Sequence, residues 1–316
     1  MKKVLFLAPD NWGIMMAVQK ELAQRTDLQV DYIDWDIYKN KFRYKNFYHR
    51  ATNFYLKTFK NINLKPIYFN NLVKEQINKQ QHYYDRIVII RPDLISDELL
   101  NLLQSKTNDF VAYYWDSLAF FPRKTIIKNL FTKVYSFDTE DCKNYGFTPL
   151  NNFYYYQDTP EKVIDNVYCL VSYDKRIAAL EKVAGYLNSK GIANTIKVYR
   201  QKPFRYKFVI PVHTVIPYQT MLEEIAGSSI LLEIQKENQR GLTFRALEAL
   251  GLKKKLITNN LQIKNYDFFD ENNIFIIDTD DINIPDWFFE TPYKEIDETI
   301  RQKYHLKEWI NTLFLN

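Results

Sequence analysis

The chain has 316 residues and a mass of 38.0 kDa, with 46% hydrophobic residues and a formal net charge of +5; that length exceeds what one core usually fills, so two domains of about 150 residues are expected. Its two cysteines, Cys142 and Cys169, are too few for a disulfide framework or a cysteine zinc site and fit a reducing compartment, the cytoplasm. No run approaches the roughly 18 apolar residues needed to span a bilayer, so any membrane contact is expected to be peripheral.

The opening MKKVLFLAPDNWG imitates a signal peptide, but its apolar run is interrupted by Pro9 and Asp10 and reads as a first buried strand at 4–8. Further strands are expected at 30–35, 86–91, 110–115 and 133–137. The segments 15–25, 70–80 and 97–104 between them repeat apolar residues at helical spacing. This alternation predicts an α/β fold with a parallel sheet covered by helices on both faces. Ligands of such sheets sit beyond the carboxyl ends of the strands, which singles out the turns at 9–13, 92–93, 116–117 and 138–140.

Charge is unevenly spread through this half. No acidic residue falls between Asp36 and Glu75, while Lys39, Lys41, Arg43, Lys45, Arg50, Lys57, Lys60, Lys65 and Lys74 are all positive. If KNFYHRATNFYLKTFK is helical, Phe47, Ala51, Phe54, Tyr55 and Phe59 share one face with basic residues beside it. Two readings stay open: residues 39–65 rest on an anionic membrane, or the aromatic stripe packs inside the first domain and leaves the lysines in water. Nucleic acid is the weaker partner, since no RNA- or DNA-binding module matches.

Periodicity lapses at 151–166, NNFYYYQDTPEKVIDN, which reads as a linker. A second alternation follows, with strands at 167–171, 196–198, 208–212, 230–233, 255–258 and 274–277 and helices at 177–188 and 218–226. Two open α/β units usually hold a ligand in the cleft between them. The last stretch, YHLKEWINTLFLN, carries Tyr304, Trp309, Ile310, Leu313 and Phe314 and is expected to form a helix docking back on the first domain. The expected division is 1–160, 161–300 and a C-terminal helix over 301–316. DTDD, Asp278 to Asp281, looks like an Asp-x-Asp metal motif but lies in an acidic tail without nucleotide-binding context, and a solvated loop is the better reading.

The most informative stretch is SSILLEIQKENQRGLTFRALEALGLKKKLITNN. Ile230, Leu231 and Leu232 predict a buried strand, QKENQR the loop beyond its carboxyl end, and residues 243–250 a short helix. Gly241 permits a turn or a close approach of backbone, Gly251 stands where a C-cap glycine is expected, and the three lysines compensate the helix dipole. The amino end of that helix offers free N–H groups, the arrangement that attracts phosphate, and Arg240 and Arg245 add charge. Glu248 falls on the face of Arg245 and Phe244, within reach of a hydroxyl-bearing group. A plain βαβ unit with a surface Glu–Arg pair accounts for the same pattern equally well.

GLTFRALEALGLKKKLITNN, followed by YDFFDENNIFIID and IPDWFF, resembles the donor-domain signature of bacterial GT-B glycosyltransferases, specifically the CgeB-like group of capsule and lipopolysaccharide biosynthesis. YYWDS and VYSFDTEDCKNYGF look like parts of the same group's first domain. The similarity covers most of the chain and is most specific over 233–277. It implies two Rossmann-like domains facing across a cleft, a nucleotide-sugar donor held mainly by the second, a glycan or lipid-linked acceptor held mainly by the first, and no cofactor or obligatory metal. By the same resemblance Glu248 binds the ribose hydroxyls, while the backbone of Gly241, Leu242 and Thr243, with Arg245, faces the diphosphate. Many retaining GT-B enzymes carry two glutamates eight apart here; this chain has Glu248 but Arg240 at the other position, so the stereochemistry does not carry over.

Departure of a diphosphate needs positive charge, and Lys175 and Arg176 in SYDKR follow the first strand of the second domain. The acceptor's proton needs a base, for which Asp116 after FVAYYW is the first candidate and Asp10 the second, although either also suits a helix cap. His213 is expected to be structural. The expected function is thus a cytoplasmic glycosyltransferase at the inner face of the plasma membrane, building a surface glycan or its lipid-linked precursor. The opposing reading is a non-catalytic sugar-nucleotide or glycan-binding scaffold in the same assembly. A nucleotide-dependent epimerase or dehydrogenase is disfavoured, because APDNWG lacks the dinucleotide fingerprint.

Overall fold

The structure, a computed structural model, describes residues 1–10, 13–35, 41–80, 82–120, 128–155, 164–237 and 239–316. It divides into two compact units, one of Met1–Ser136, Asp141–Pro149 and Ile310–Asn316, the other of Phe137–Glu140 and Leu150–Trp309.

In the first unit six parallel strands, β1 (Lys2–Ala8), β2 (Leu28–Asp34), β3 (Arg86–Ile90), β4 (Phe110–Tyr114), β5 (Lys133–Ser136) and β6 (Thr148–Pro149), lie in the order β2-β1-β3-β4-β5-β6. Strands β3 and β4 are buried along their whole length, as expected for strands covered on both faces. The strand order reverses between β1 and β3, where Leu7 pairs with Ile89, so the loops leaving these two strands flank a topological switch point. The core behind them joins Leu5, Leu7, Ile87, Ile89 and Tyr114 to Leu99, Leu100 and Leu103 on the helix Asp97–Gln104. That helix starts at Ser96, whose side chain accepts from Leu99 N, and carries two acids in its first turn, a standard arrangement at the positive end of the dipole.

The C-terminal residues belong to this unit. After a helix at Leu306–Ile310 the chain widens into a π-helical turn over Asn311–Leu315. Phe314 packs edge-on against Phe6 at 5.1 Å, and Arg86 Nη1 donates to the Leu313 carbonyl at 3.0 Å.

In the second unit β7 (Ile164–Ser172), β8 (Asn194–Tyr199), β9 (Ile210–Val212), β10 (Ser228–Glu233), β11 (Lys255–Thr258) and β12 (Ile274–Ile276) form another six-stranded parallel sheet, ordered β12-β11-β10-β7-β8-β9. Here the reversal falls between β7 and β10. Helices Ile177–Ser189 and Phe244–Gly251 cover the sheet through separate apolar clusters, one centred on Leu180, Val183 and Ile230, the other on Leu247, Leu250 and Leu256.

Several expectations are corrected. The stretch expected to be a linker is not one where it is described: Asn152, Phe153 and Tyr154 are buried in the second unit, Phe153 between Trp309 and Phe244, and residues 164–166 already belong to β7. The part of that stretch at 156–163 lies outside the described residues, as do residues 11–12 of the turn at 9–13 and residues 39–40 of the basic segment. Gly251 does not cap its helix. It is the last helical residue, and an added Cβ would stand 2.4 Å from Tyr154 Cδ2, so packing excludes a side chain there. The left-handed residue beyond the helix is Lys253, at φ 54. The next two lysines do more than oppose the dipole, since Lys254 and Lys255 are both buried. Lys255 Nζ donates to the Phe288 carbonyl and to Thr291 Oγ1 at 2.7 Å each, while burial pulls the Lys254 ammonium down to about 8. The aromatic stripe of the helix Phe47–Phe59 does not pack inside the first unit, because its only buried residue is Asn53.

Candidate functional site

The site grows from the carboxyl end of β10, beside the reversal in the second sheet. Glu233 ends that strand opposite Thr258, its register partner at the end of β11. Thr258 Oγ1 donates to Glu233 Oε2 at 2.6 Å, and Thr243 Oγ1 donates to Glu233 Oε1. The carboxyl group is fully buried, and desolvation pushes its pKa up, against the two threonine hydrogen bonds and the charges of Arg245 and Arg176. Thr243 is also the N-cap of the helix Phe244–Gly251, its hydroxyl oxygen accepting from Arg245 N at 3.1 Å and Ala246 N at 3.5 Å. One hydroxyl therefore ties the buried acid to the start of the helix, in a position where cap removal typically costs about 1 kcal/mol.

The loop before the cap is clamped. Gln235 Nε2 and Asn260 Nδ2 donate to the Gly241 carbonyl at 2.9 and 3.2 Å, and Asn152 Nδ2 to the Leu242 carbonyl at 3.4 Å. Gly241 sits at φ +96, and a Cβ there would come within 2.3 Å of the Phe137 carbonyl oxygen, so both conformation and space demand glycine. Thr243 and Phe244 are half-buried, and their backbone N–H groups donate to no acceptor among the described residues. Two donors at the positive end of a helix are thus available to an anion.

One turn along, Arg245 Nη1 pairs with Glu248 Oε2 at 2.8 Å. The side chains are only 13% and 9% exposed, which makes this a buried pair where a surface pair was the alternative. The Arg245 guanidinium also lies over the Tyr168 ring, 5.8 Å from its centroid. The other cations named from the sequence are arranged differently. Arg240 Nε pairs with Glu140 Oε2 at 2.6 Å, both side chains about half exposed. Lys175 is almost fully exposed, 3.9 Å from Glu237. Arg176 grips Asp174 through Nε and Nη2 and donates from Nη1 to the Ile234 carbonyl at 3.1 Å, which fastens the loop after β7 to the end of β10. It also helps hold the Asp174 carboxyl below its ordinary value, against the effect of burial.

In the first unit, Asp10 follows β1 and Arg91 follows β3, on the two sides of that sheet's switch point. Asp10 Oδ1 accepts from Met15 N at 3.1 Å, in the first turn of the helix Ile14–Ala23. Its pKa is raised, chiefly by burial, with Asp34 adding to the shift and backbone N–H groups opposing it. Asp116 follows β4, and its Oδ2 accepts from Arg91 Nη1 at 3.1 Å. Arg91 is itself buried, left-handed at φ 59 and bidentate to Asp93 at 2.9 Å through both nitrogens. His213 is exposed, its Nδ1 2.8 Å from the Arg200 carbonyl. In DTDD, Asp278 accepts from Asp280 N and Asp280 pairs with Lys182, and among the described residues no cluster of three or more His, Cys, Asp or Glu is placed to hold a metal ion.

Sequence reasoning missed Glu233, Thr258, Asn260 and Gln235. Their signal was available: polar residues closing the apolar strands ILLE and LIT are out of place unless something at the carboxyl edge uses them. It also passed over Arg91, whose partners Asp93 and Asp116 it had located.

No family model matches the chain, and no curated protein matches it in sequence. Solved structures do match. A UDP-forming alpha,alpha-trehalose-phosphate synthase from Burkholderia vietnamiensis superposes with a TM-score of 0.57 at 10% identity, over 99% of this chain and 96% of that one. An alpha-glucosyltransferase solved with UDP-glucose and DNA containing an abasic site gives 0.51 at 12% identity, over 98% and 92%. The N-terminal domain of a Candida albicans trehalose-6-phosphate phosphatase gives 0.51 at 12%, over 82% of each chain. With two six-stranded parallel sheets of Rossmann type, the chain has the GT-B fold. A trehalose-phosphate synthase and an alpha-glucosyltransferase are among the neighbours of that fold; at such identities the likeness is one of fold.

Proposed function

We propose that the protein is a glycosyltransferase that moves a sugar from a nucleotide-sugar donor to a hydroxyl of a growing surface glycan or its lipid-linked precursor, in the manner of the CgeB-like capsule and lipopolysaccharide group. The observation that carries this reading is the start of the helix Phe244–Gly251: two N–H groups that take no acceptor among the described residues, beyond the end of β10 at the switch point, with the Arg245–Glu248 pair one turn along. The donor diphosphate lies at Thr243 and Phe244, with Leu242 and Gly241 shaping the approach. Arg245, Arg240 and Lys175 supply positive charge, and Glu248 accepts from the ribose hydroxyls. Arg176 acts as a positioning residue for the loop after β7. No cofactor or metal is assigned.

Chemistry then needs a base in the first unit. Asp10 is preferred to Asp116, since its raised pKa suits proton uptake and no cation holds it among the described residues, whereas Arg91 already engages one oxygen of Asp116. The base takes the proton from the acceptor hydroxyl as its oxygen bonds to the anomeric carbon. The bond from that carbon to the phosphate oxygen breaks, and the diphosphate leaves with the electron pair, stabilised by the helix N–H groups and guanidinium. This reading puts the enzyme in the cytoplasm at the inner face of the plasma membrane, in peripheral contact through residues 39–65. A panel of nucleotide sugars assayed for hydrolysis or transfer tests it; nucleotide binding without turnover of any donor would instead favour the non-catalytic scaffold.

A further inference from the structure

The helix Phe47–Phe59 is built the wrong way round for a core element. Asn53 is its only buried residue, with its Nδ2 donating to Tyr44 Oη and its Oδ1 accepting from Leu64 N, both at 2.8 Å, at the start of the next helix, Leu64–Lys79. At 100° per residue Phe54, Phe47, Ala51, Tyr55, Tyr48 and Phe59 fall on the side opposite Asn53 and Leu56. The exposures agree: Phe47 and Tyr48 are nearly four-fifths exposed, and Phe54 and Phe59 about two-thirds. A contiguous aromatic face turned to solvent is unusual enough on a folded protein to call for an occupant.

The charges around it indicate which one. Lys41, Arg43, Lys45, Arg50, Lys57, Lys60 and Lys65 are all exposed, and no acidic residue occurs from 41 to 74. Arg50 and Lys57 run along one border of the aromatic face. A second copy docking symmetrically on this face would set these cations against themselves. A surface that accepts aromatic rings into an apolar layer and presents fixed negative charge above it satisfies both features together.

We propose that the face made by Phe47, Tyr48, Phe54, Tyr55 and Phe59, bordered by Arg50 and Lys57, docks on an anionic lipid surface. The rings enter the headgroup region, and Arg50 and Lys57 hold lipid phosphates. This deepens the peripheral contact described above and rests on that reading only for the cellular side on which the membrane is met.

Flotation of the full chain with vesicles decides it, using phosphatidylcholine alone and an equal mixture of phosphatidylcholine with phosphatidylglycerol. The protein is expected to float with the mixture, to stay behind with phosphatidylcholine, and to be released by salt. Arg50→Ser with Lys57→Ser should lower partition about fivefold for each charge removed. Phe54→Ser with Phe59→Ser should lower it likewise with an unchanged melting midpoint, because these rings lie outside the core. Failure to float with the mixture, equal flotation with both vesicles, or flotation indifferent to both double variants overturns the proposal. So does a dimer or a complex with nucleic acid that forms through the same rings while vesicles are ignored. Nucleotide binding, measured on the same variants, is expected to be unaffected; flotation in a protein that binds no nucleotide would overturn the sugar-transfer reading and leave the docking surface standing.

Discussion

Arg245 and Glu248, one turn apart on the helix Phe244–Gly251, meet at 2.8 Å with both side chains nearly buried. A buried pair is costly to break from one side, because the remaining charge stays desolvated. Glu248→Ala should therefore lower stability by about 3–5 kcal/mol, read by denaturant titration. Replacing both partners, Arg245→Met with Glu248→Leu, should restore most of that loss and yet abolish nucleotide binding in calorimetry. A double variant that still binds would make the pair structural and remove it from the donor site.

Glu233 should leave a signature in the pH dependence of stability. Its native pKa is raised by burial, so the folded state holds the proton more tightly than the unfolded chain. Stability is then full below the ordinary glutamate value and falls as pH rises towards the native one. Glu233→Gln should remove this part of the decline, which unfolding midpoints across that window would show against wild type. Equal slopes in the two proteins would mean that Glu233 ionises in the fold as it does in the unfolded chain.

Asp10 should govern the acidic limb of the rate profile. Burial raises its pKa, so transfer should fall away at a pH above the ordinary aspartate range. Asp10→Asn is expected to lower kcat by about 10²–10⁴-fold with donor affinity unchanged, and to erase that limb. If Asp116→Asn does this and Asp10→Asn does not, the base is Asp116.

The end of the helix Phe244–Gly251 offers a test of packing alone. Gly251→Ala drives a Cβ into the Tyr154 ring and should destabilise by about 1–3 kcal/mol. Lys253→Gly relieves a left-handed lysine at the loss of an exposed ion pair to Glu295, and should stabilise by up to about 1 kcal/mol. Melting curves of both variants check the two signs.

Much of the sheet architecture was legible because parallel strands covered on both faces read as short, unbroken apolar runs. The expected strand at 255–258 is the observed Lys255–Thr258, and the expected helix at 218–226 is the observed Tyr218–Ala226. What periodicity could not show was which way a stripe faces. The aromatic face of Phe47–Phe59 has core spacing, but the hydrogen bonds of Asn53 to Tyr44 and Leu64 turn it outward, and those partners are visible only once the next helix is in place. Gly251 fitted a C-cap by position, and only the Tyr154 ring lying against it reveals a different reason for glycine. At the site, the helix and the placing of Arg245 and Glu248 on one face of it followed from spacing, whereas Thr243, expected as its first helical residue, is its N-cap. The acid beneath them did not follow from spacing, since Glu233 reaches Thr243 and Thr258 through tertiary register.

The most direct test of sugar-nucleotide binding at this helix is titration calorimetry of nucleoside diphosphates and their sugar conjugates against wild type and Glu248→Gln, with the fold of each checked by its melting midpoint. The expected result is saturable one-site binding of one nucleotide class to wild type, weakened about tenfold or more, or by at least about 1.4 kcal/mol, in a folded Glu248→Gln. Absence of binding by any nucleotide to wild type, or equal affinity in the variant, would contradict it.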